Sequence, residues 1–318
     1  MVHVLTPPPT DPSREDIIWL AGPRLIGLLL NWALLGILSA QVYVYHVSFP
    51  KDRRISKIIV YVTYILDWVQ TCLTTYDGFR WFVYGWGNVP DLYELYTTFL
   101  DVPILTSTIS AIVQLYYGWR IWNISRSRTT FAFIVFLALI QLGAGVAAGY
   151  YTYLDASEEN RSPDLVRAVA TRLGGSALVD TVIAALMTYC LLNRRGNKAT
   201  SSCNGIVTRL IRLTIETGTI TALAAIVDLV FFIKEHNGLH EALALVLCKI
   251  YSNALLVLFN NRLLMVDEDS EEETQTSVNS LVFEAVTPPL WRSISESLTL
   301  QLDPTEFKFV EDKLGVAV

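Results

Sequence analysis

Asp67, Asp101, Asp180 and Lys249 stand in stretches that are otherwise apolar, and Asp228 and Asn253 lie in stretches of the same kind. An ionisable side chain in such a setting is costly to bury, so it implies a functional site or a compensated pair. One lysine among several carboxylates permits two chemistries. It can neutralise them as a cluster that pins the second, third, fifth and seventh apolar segments together. Alternatively, the same groups can line a wet cavity that binds a polar ligand or moves a proton. The first reading predicts a dry core around Lys249, and the second predicts water there.

Other chemistry is harder to build. His46, His236 and His240 lack a third metal ligand at a usable spacing, and the sequence has no HExxH, Walker, GxSxG or dinucleotide motif. The expectation is a protein that is not an enzyme, with no catalytic residue, no metal and no cofactor. Cys72, Cys190 and Cys248 fall inside apolar segments and Cys203 in a connecting stretch, which predicts no structural disulfide.

The elements that must carry these residues follow from composition. The chain of 318 residues is 52% hydrophobic and 17% charged, with a mean hydropathy of +0.40. That pattern excludes a disordered chain and a nucleic-acid binder, and argues against a soluble enzyme. A bilayer core about 30 Å thick needs roughly 20 apolar residues in a helix, because unpaired backbone groups are too costly in lipid. Seven segments qualify: 22–46, 56–80, 92–119, 130–154, 168–192, 207–233 and 239–261. The fold expected is all-α, a polytopic bundle of seven transmembrane helices. Pro23 is placed just inside the first helix, and Asp91 and Asn237 are read as N-caps of the third and seventh. Trp81, Tyr84, Trp86, Trp119 and Trp122 are read as an interfacial aromatic belt. Gly145-x-x-x-Gly149 permits close backbone approach and is assigned to helix packing within the bundle.

Charge sets the expected sidedness. The loops after helices one, three and five, together with Arg262, hold 13 Lys and Arg, against 7 on the other side. The positive-inside rule then puts the N-terminus outside and the C-terminus in the cytosol. Residues 1–21 form a proline-rich extracellular leader, 22–262 the membrane domain, and 263–318 an acidic cytosolic tail with a charge balance of -9. The tail's low hydrophobicity predicts disorder and suits a cytosolic partner protein. Asn160 begins a glycosylation sequon on the outer side, and Asn123 begins one on the inner side that should stay unmodified. The plasma membrane is the expected location.

Several segments together resemble a large uncharacterised family of seven-helix membrane proteins from mushroom-forming fungi, known only as a domain of unknown function. The resemblance runs through most of residues 21–262. It rests on GPRLIG from Gly22, FPKDR from Phe49, ILDWVQT from Ile65, VQLYYGWRIWNISRS from Val113 and LIQLGAG from Leu139. RLIRLTIETG from Arg209 and KIYSNALLVLFNNR from Lys249 complete it. The family pattern usually closes LNAR or LNxR, where this chain has FNNR. The resemblance implies a seven-span topology and a fungal origin, and no ligand or reaction. A seventh-helix lysine also invites comparison with retinal proteins. Microbial rhodopsins have an aspartate one turn earlier, whereas this chain has Leu245, so no retinal is expected. Three functions remain in competition. The first is receptor-like binding of a small ligand, signalled through the cytosolic loops and tail. The second is transport or a proton or ion relay through the intramembrane Asp and Lys residues. The third is a scaffold without a small-molecule site.

Overall fold

The computed structural model describes residues 14–155, 162–197, 201–234 and 238–262. Asn160, His236, Asn237 and the tail from 263 onward lie outside the described residues, as do the side chains of Arg209, Arg212 and Glu216. Seven helices are long and apolar enough to cross a membrane. We label them α1 (Arg14–Ser48), α2 (Arg54–Phe79), α3 (Thr98–Ser125), α4 (Arg128–Asp155), α5 (Pro163–Asn197), α6 (Ser201–Lys234) and α7 (Leu239–Asn260). The chain is thus an all-α, multi-pass membrane protein. In a bilayer each helix satisfies its own backbone, and its outward face needs no polar group. Accordingly Leu29, Ile58, Ile65, Phe136, Leu223 and Ile233 are all well exposed.

The segment α7 is the axis of the bundle. It packs against α1, α2, α3 and α6. Of its apolar window 67% is buried, against 28% for α1 and for α4. The remaining order around it runs α6 to α5, α5 to α4, and α4 to α3. A central helix presents different neighbours on its two sides, so two of its residues close in sequence serve different sites.

Two prolines shape the helices that surround the site. Pro23 lies well inside α1, not at its start, because the helix begins at Arg14 within the segment read as a leader. Pro103 lies in a five-residue π-helical turn, Asp101–Leu105, near the start of α3. A proline removes the N–H that would bond the carbonyl four residues earlier. Here those carbonyls belong to Trp19 and Phe99, and each meets a glycine. A Cβ on Gly238 would sit 2.8 Å from the Trp19 oxygen, and one on Gly149 would sit 2.7 Å from the Phe99 oxygen. Glycine therefore lets another backbone approach these carbonyls more closely than a side chain would allow. Gly238 also has φ +66°, which favours glycine on its own account.

Several boundaries depart from the expected ones. Asp91 belongs to a short 3-10 turn, Val89–Leu92, and α3 starts only at Thr98, so Asp91 caps nothing. Pro90 and the Thr97–Thr98 pair delay the helix. Cys203 falls inside α6 and not in a loop, because α6 begins at Ser201. Trp81 is not part of an aromatic belt. It is 4% exposed and donates from its ring nitrogen to the Glu94 carbonyl. Tyr84 and Trp86, at 74% and 84%, are the exposed aromatics of that end.

Candidate functional site

The helix α2 has its polarity reversed. Its buried face reads Ser56, Val60, Thr63, Asp67, Gln70, Thr71, Thr74 and Asp77, while Ile55, Ile58, Val62, Ile65 and Val69 face outward. The spacing of three and four is that of one helix face. The neighbouring stretch of α3 follows the same rule, burying Asp101, Thr106, Ser107, Ser110 and Gln114. In a soluble protein such faces would point to water. In a membrane they point to the bundle interior, where hydrogen bonds must satisfy them.

On this side of α7 stands Lys249. Its ammonium donates to Asp67 Oδ1 at 2.9 Å, to the Asp67 carbonyl at 2.7 Å and to Gln70 Oε1 at 2.7 Å. Those three acceptors take the three N–H donors an ammonium has. Both partners of the ion pair are fully buried. Cys248 and Ser252 lie against the Asp67 carboxylate as well. Asn31 extends the network, donating to Gln70 Oε1 at 3.0 Å and to the Leu245 carbonyl at 2.6 Å, and accepting from Thr71 at 2.8 Å. This is a polar knot tying α1, α2 and α7, in which Asp67 Oδ2 takes no hydrogen bond among the described residues.

Asp101 is not part of that knot. Its Oδ2 accepts from Thr74 at 2.8 Å, it is 1% exposed, and its Oδ1 has no hydrogen-bond partner among the described residues. Asp77, one turn past Thr74, is held by the Thr97 N–H and by the hydroxyls of Thr97 and Thr98.

Asp180 occupies the opposite side of α7. Its Oδ2 accepts from the Tyr251 hydroxyl at 2.7 Å and its Oδ1 from Gln114 at 3.0 Å, while the nearby Thr221 hydroxyl donates to the Gly218 carbonyl at 3.1 Å. The Tyr251 oxygen is bonded in turn to Ser176 at 2.6 Å. A cavity of about 20 Å³ adjoins Asp180, lined by Tyr117, Thr217, Thr221 and Tyr251 together with Val113 and Ile183. The expected four-helix charge cluster therefore does not exist as one unit. Lys249 and Tyr251 are two residues apart, so they point about 200° apart around a helix of 3.6 residues per turn. The lysine serves Asp67, and the tyrosine serves Asp180.

The two ends of the bundle carry their own pairs. At one end Arg24 binds Glu241 through Nε and Nη2 and the Leu92 carbonyl through Nη1, with Trp81 stacked 4.4 Å from its guanidinium. Nearby Asp228 takes a 2.6 Å hydrogen bond from His240, with Arg172 close enough to act on its charge. At the other end Arg262 bridges Asp52 at 2.7 Å, the Tyr45 hydroxyl donates to Asp52 at 3.0 Å, and Phe49 lies 4.8 Å from the Arg262 guanidinium. Burial alone would raise the Asp52 carboxyl. Hydrogen bonds from Arg262, the Arg53 N–H and Tyr45 outweigh it and hold Asp52 below the usual carboxylate range. Asn253 donates to the Leu34 carbonyl of α1 at 3.2 Å and to the Lys249 carbonyl at 2.7 Å, and its Oδ1 takes no hydrogen bond among the described residues. Gly145 and Gly149 pack inside the chain. A Cβ on Gly145 would sit 2.0 Å from Ser107 Oγ of α3.

Gln70, Gln114 and Ser176, and the pairing of Asp52 with Arg262, are additions to the residues singled out from sequence. The polar face of α2 was open to detection, since its period is helical. The partners of Asp180 come from three separate helices, and no local spacing joins them. Among the described residues no group of three or more His, Cys, Asp or Glu is placed to hold a metal ion.

No curated protein and no solved structure matches the chain. Residues 176–263 match a family whose description reads "Family of unknown function (DUF6534)". That stretch contains Asp180, the whole of α7 and Arg262, and it includes both RLIRLTIETG and KIYSNALLVLFNNR.

Proposed function

We propose that this multi-pass membrane protein is receptor-like and not an enzyme. In this reading it binds a small ligand beside Asp180 and passes the event along α7 to the end that carries Arg262. One observation carries it: α7 has an ion-paired charge on one face and, on the other, a cavity with a carboxylate unpaired among the described residues. A helix held by an ion pair on one side and by neutral hydrogen bonds beside a cavity on the other is suited to tilt or rotate about the ion pair. The segment ends next to Arg262, which bridges to Asp52 in the connection between α1 and α2, beside Lys51 and Arg53. With the N-terminus outside, that connection and the acidic tail face the cytosol and a partner protein, and the plasma membrane is the proposed location. A fungal source is proposed on the resemblance of the sequence segments alone.

The test uses the full chain in lipid nanodiscs, with hydrogen exchange read on α7 and on residues 49–54. The probes are panels of inorganic cations, primary amines and amino acids. A compound that slows exchange at both places, and does so less in Asp180→Asn, is the expected result. Panels that leave both places unchanged contradict the reading. Transport is the second reading, favoured by the polar face of α2 running from Ser56 to Asp77. Uptake of the same compound by proteoliposomes would establish transport in place of signalling.

A further inference from the structure

We infer that the cavity beside Asp180 is a binding site for one small monovalent cation, with sodium as the fitting probe. The assignment rests on the reading of this cavity as the binding site, and it names the class of ligand.

The first support is charge. Asp180 is 5% exposed, and no ion pair among the described residues includes it. The one fully buried lysine, Lys249, is taken by Asp67 across α7. A carboxylate without a counter-charge in a membrane core is strongly disfavoured, and one bound monovalent cation makes the site neutral. A divalent ion would leave a net positive charge there.

The second support is donor chemistry. The polar lining of the cavity is all oxygen: the Asp180 carboxylate and the hydroxyls of Tyr117, Thr217, Thr221 and Tyr251. Oxygen donors suit hard cations, and no sulfur or imidazole nitrogen lines the space to select a softer metal. A carboxylate offers about four acceptor positions. Gln114 and Tyr251 occupy two, which leaves two for an ion.

The third support is size. A cavity needs about 10–15 Å³ to admit one water. The observed volume of about 20 Å³ admits a water or a bare small ion.

The experiment measures thermal unfolding of the full chain in nanodiscs, by tryptophan fluorescence, with sodium, potassium or choline chloride at constant ionic strength. Binding to the folded state alone raises the midpoint with ligand concentration. The expected result is a saturable rise of roughly 2–4 °C in sodium, less in potassium and none in choline. Asp180→Asn should abolish the response. Thr221→Val keeps the carboxylate and removes one oxygen, so it should raise the half-saturating sodium concentration by about tenfold. This second variant decides the matter if Asp180→Asn does not fold. Identical curves in all three salts overturn the cation site, as does a sodium response unchanged in Thr221→Val. Either result leaves the receptor-like reading to the amine and amino-acid probes. A sodium response with no exchange change at residues 49–54 for any probe supports the cation site and removes the signalling role.

Discussion

Removing the Lys249 ammonium leaves Asp67 buried with no cation beside it. Breaking a buried pair from one side typically costs about 3–5 kcal/mol, while replacing both partners with apolar groups is far milder. Lys249→Met should therefore lower unfolding stability in nanodiscs by that order, and adding Asp67→Leu should recover most of it. A double variant as unstable as the single one would mean that the pair does more than neutralise itself. Asp52 makes a pH-dependent contribution of known sign. Its folded carboxyl is held below the unfolded value of about 3.9, so its stabilisation is complete above that value. It is lost as pH falls through the folded value. Hydrogen exchange at residues 49–54 should accelerate across that acid range in the wild type, and Asp52→Asn should be fast already at neutral pH. At this scale Asp67, Asp101, Asp180 and Lys249 could be picked out of the sequence, because charge in an apolar run is visible. Their grouping could not be, since it depends on which face of α7 meets which helix.

The elements were legible where they depend on length and hydropathy, and less so where they depend on a partner. All seven spans follow from the apolar runs. The late start of α3, and Pro23 inside α1, do not, because the first depends on the turn at Val89–Leu92 and the second on Gly238 packing beside the Trp19 carbonyl. The two glycines of α4 are readable as a close-approach motif, yet only the fold shows that Ser107, Ile104 and the Phe99 carbonyl fill the space against them. Overpacking a tight site typically costs about 1–3 kcal/mol. Gly149→Val should fall in that range, with Gly145→Val at its upper end. Gly143→Val, with nothing within 4 Å of its Cβ position, should change stability by less than about 0.5 kcal/mol. Thermal midpoints of the three variants in one lipid composition check this. Equal effects at 143 and 149 would argue against the packing described.

For the whole molecule, the bundle organises its polarity around one helix. The α2 knot holds α1 and α7 in register, and the Asp180 side leaves room. The end pairs, Arg24–Glu241 and Arg262–Asp52, fasten α7 to α1 at one end and to the loop before α2 at the other. Sidedness was read from the excess of basic residues on one set of loops. It predicts that a thiol placed at residue 51 reacts with an impermeant maleimide only after the cell is opened, and that one placed at residue 87 reacts in intact cells. The reverse pattern would invert the proposed signalling direction. The most direct test of the central claim is an electron cryomicroscopy map of the full chain in lipid, at a resolution that shows ordered water. The account predicts an isolated density in the cavity by Asp180 and Tyr251, and none between Lys249 and Asp67. A continuous chain of water running past Lys249 would contradict it, and would make the lysine part of a conduction path.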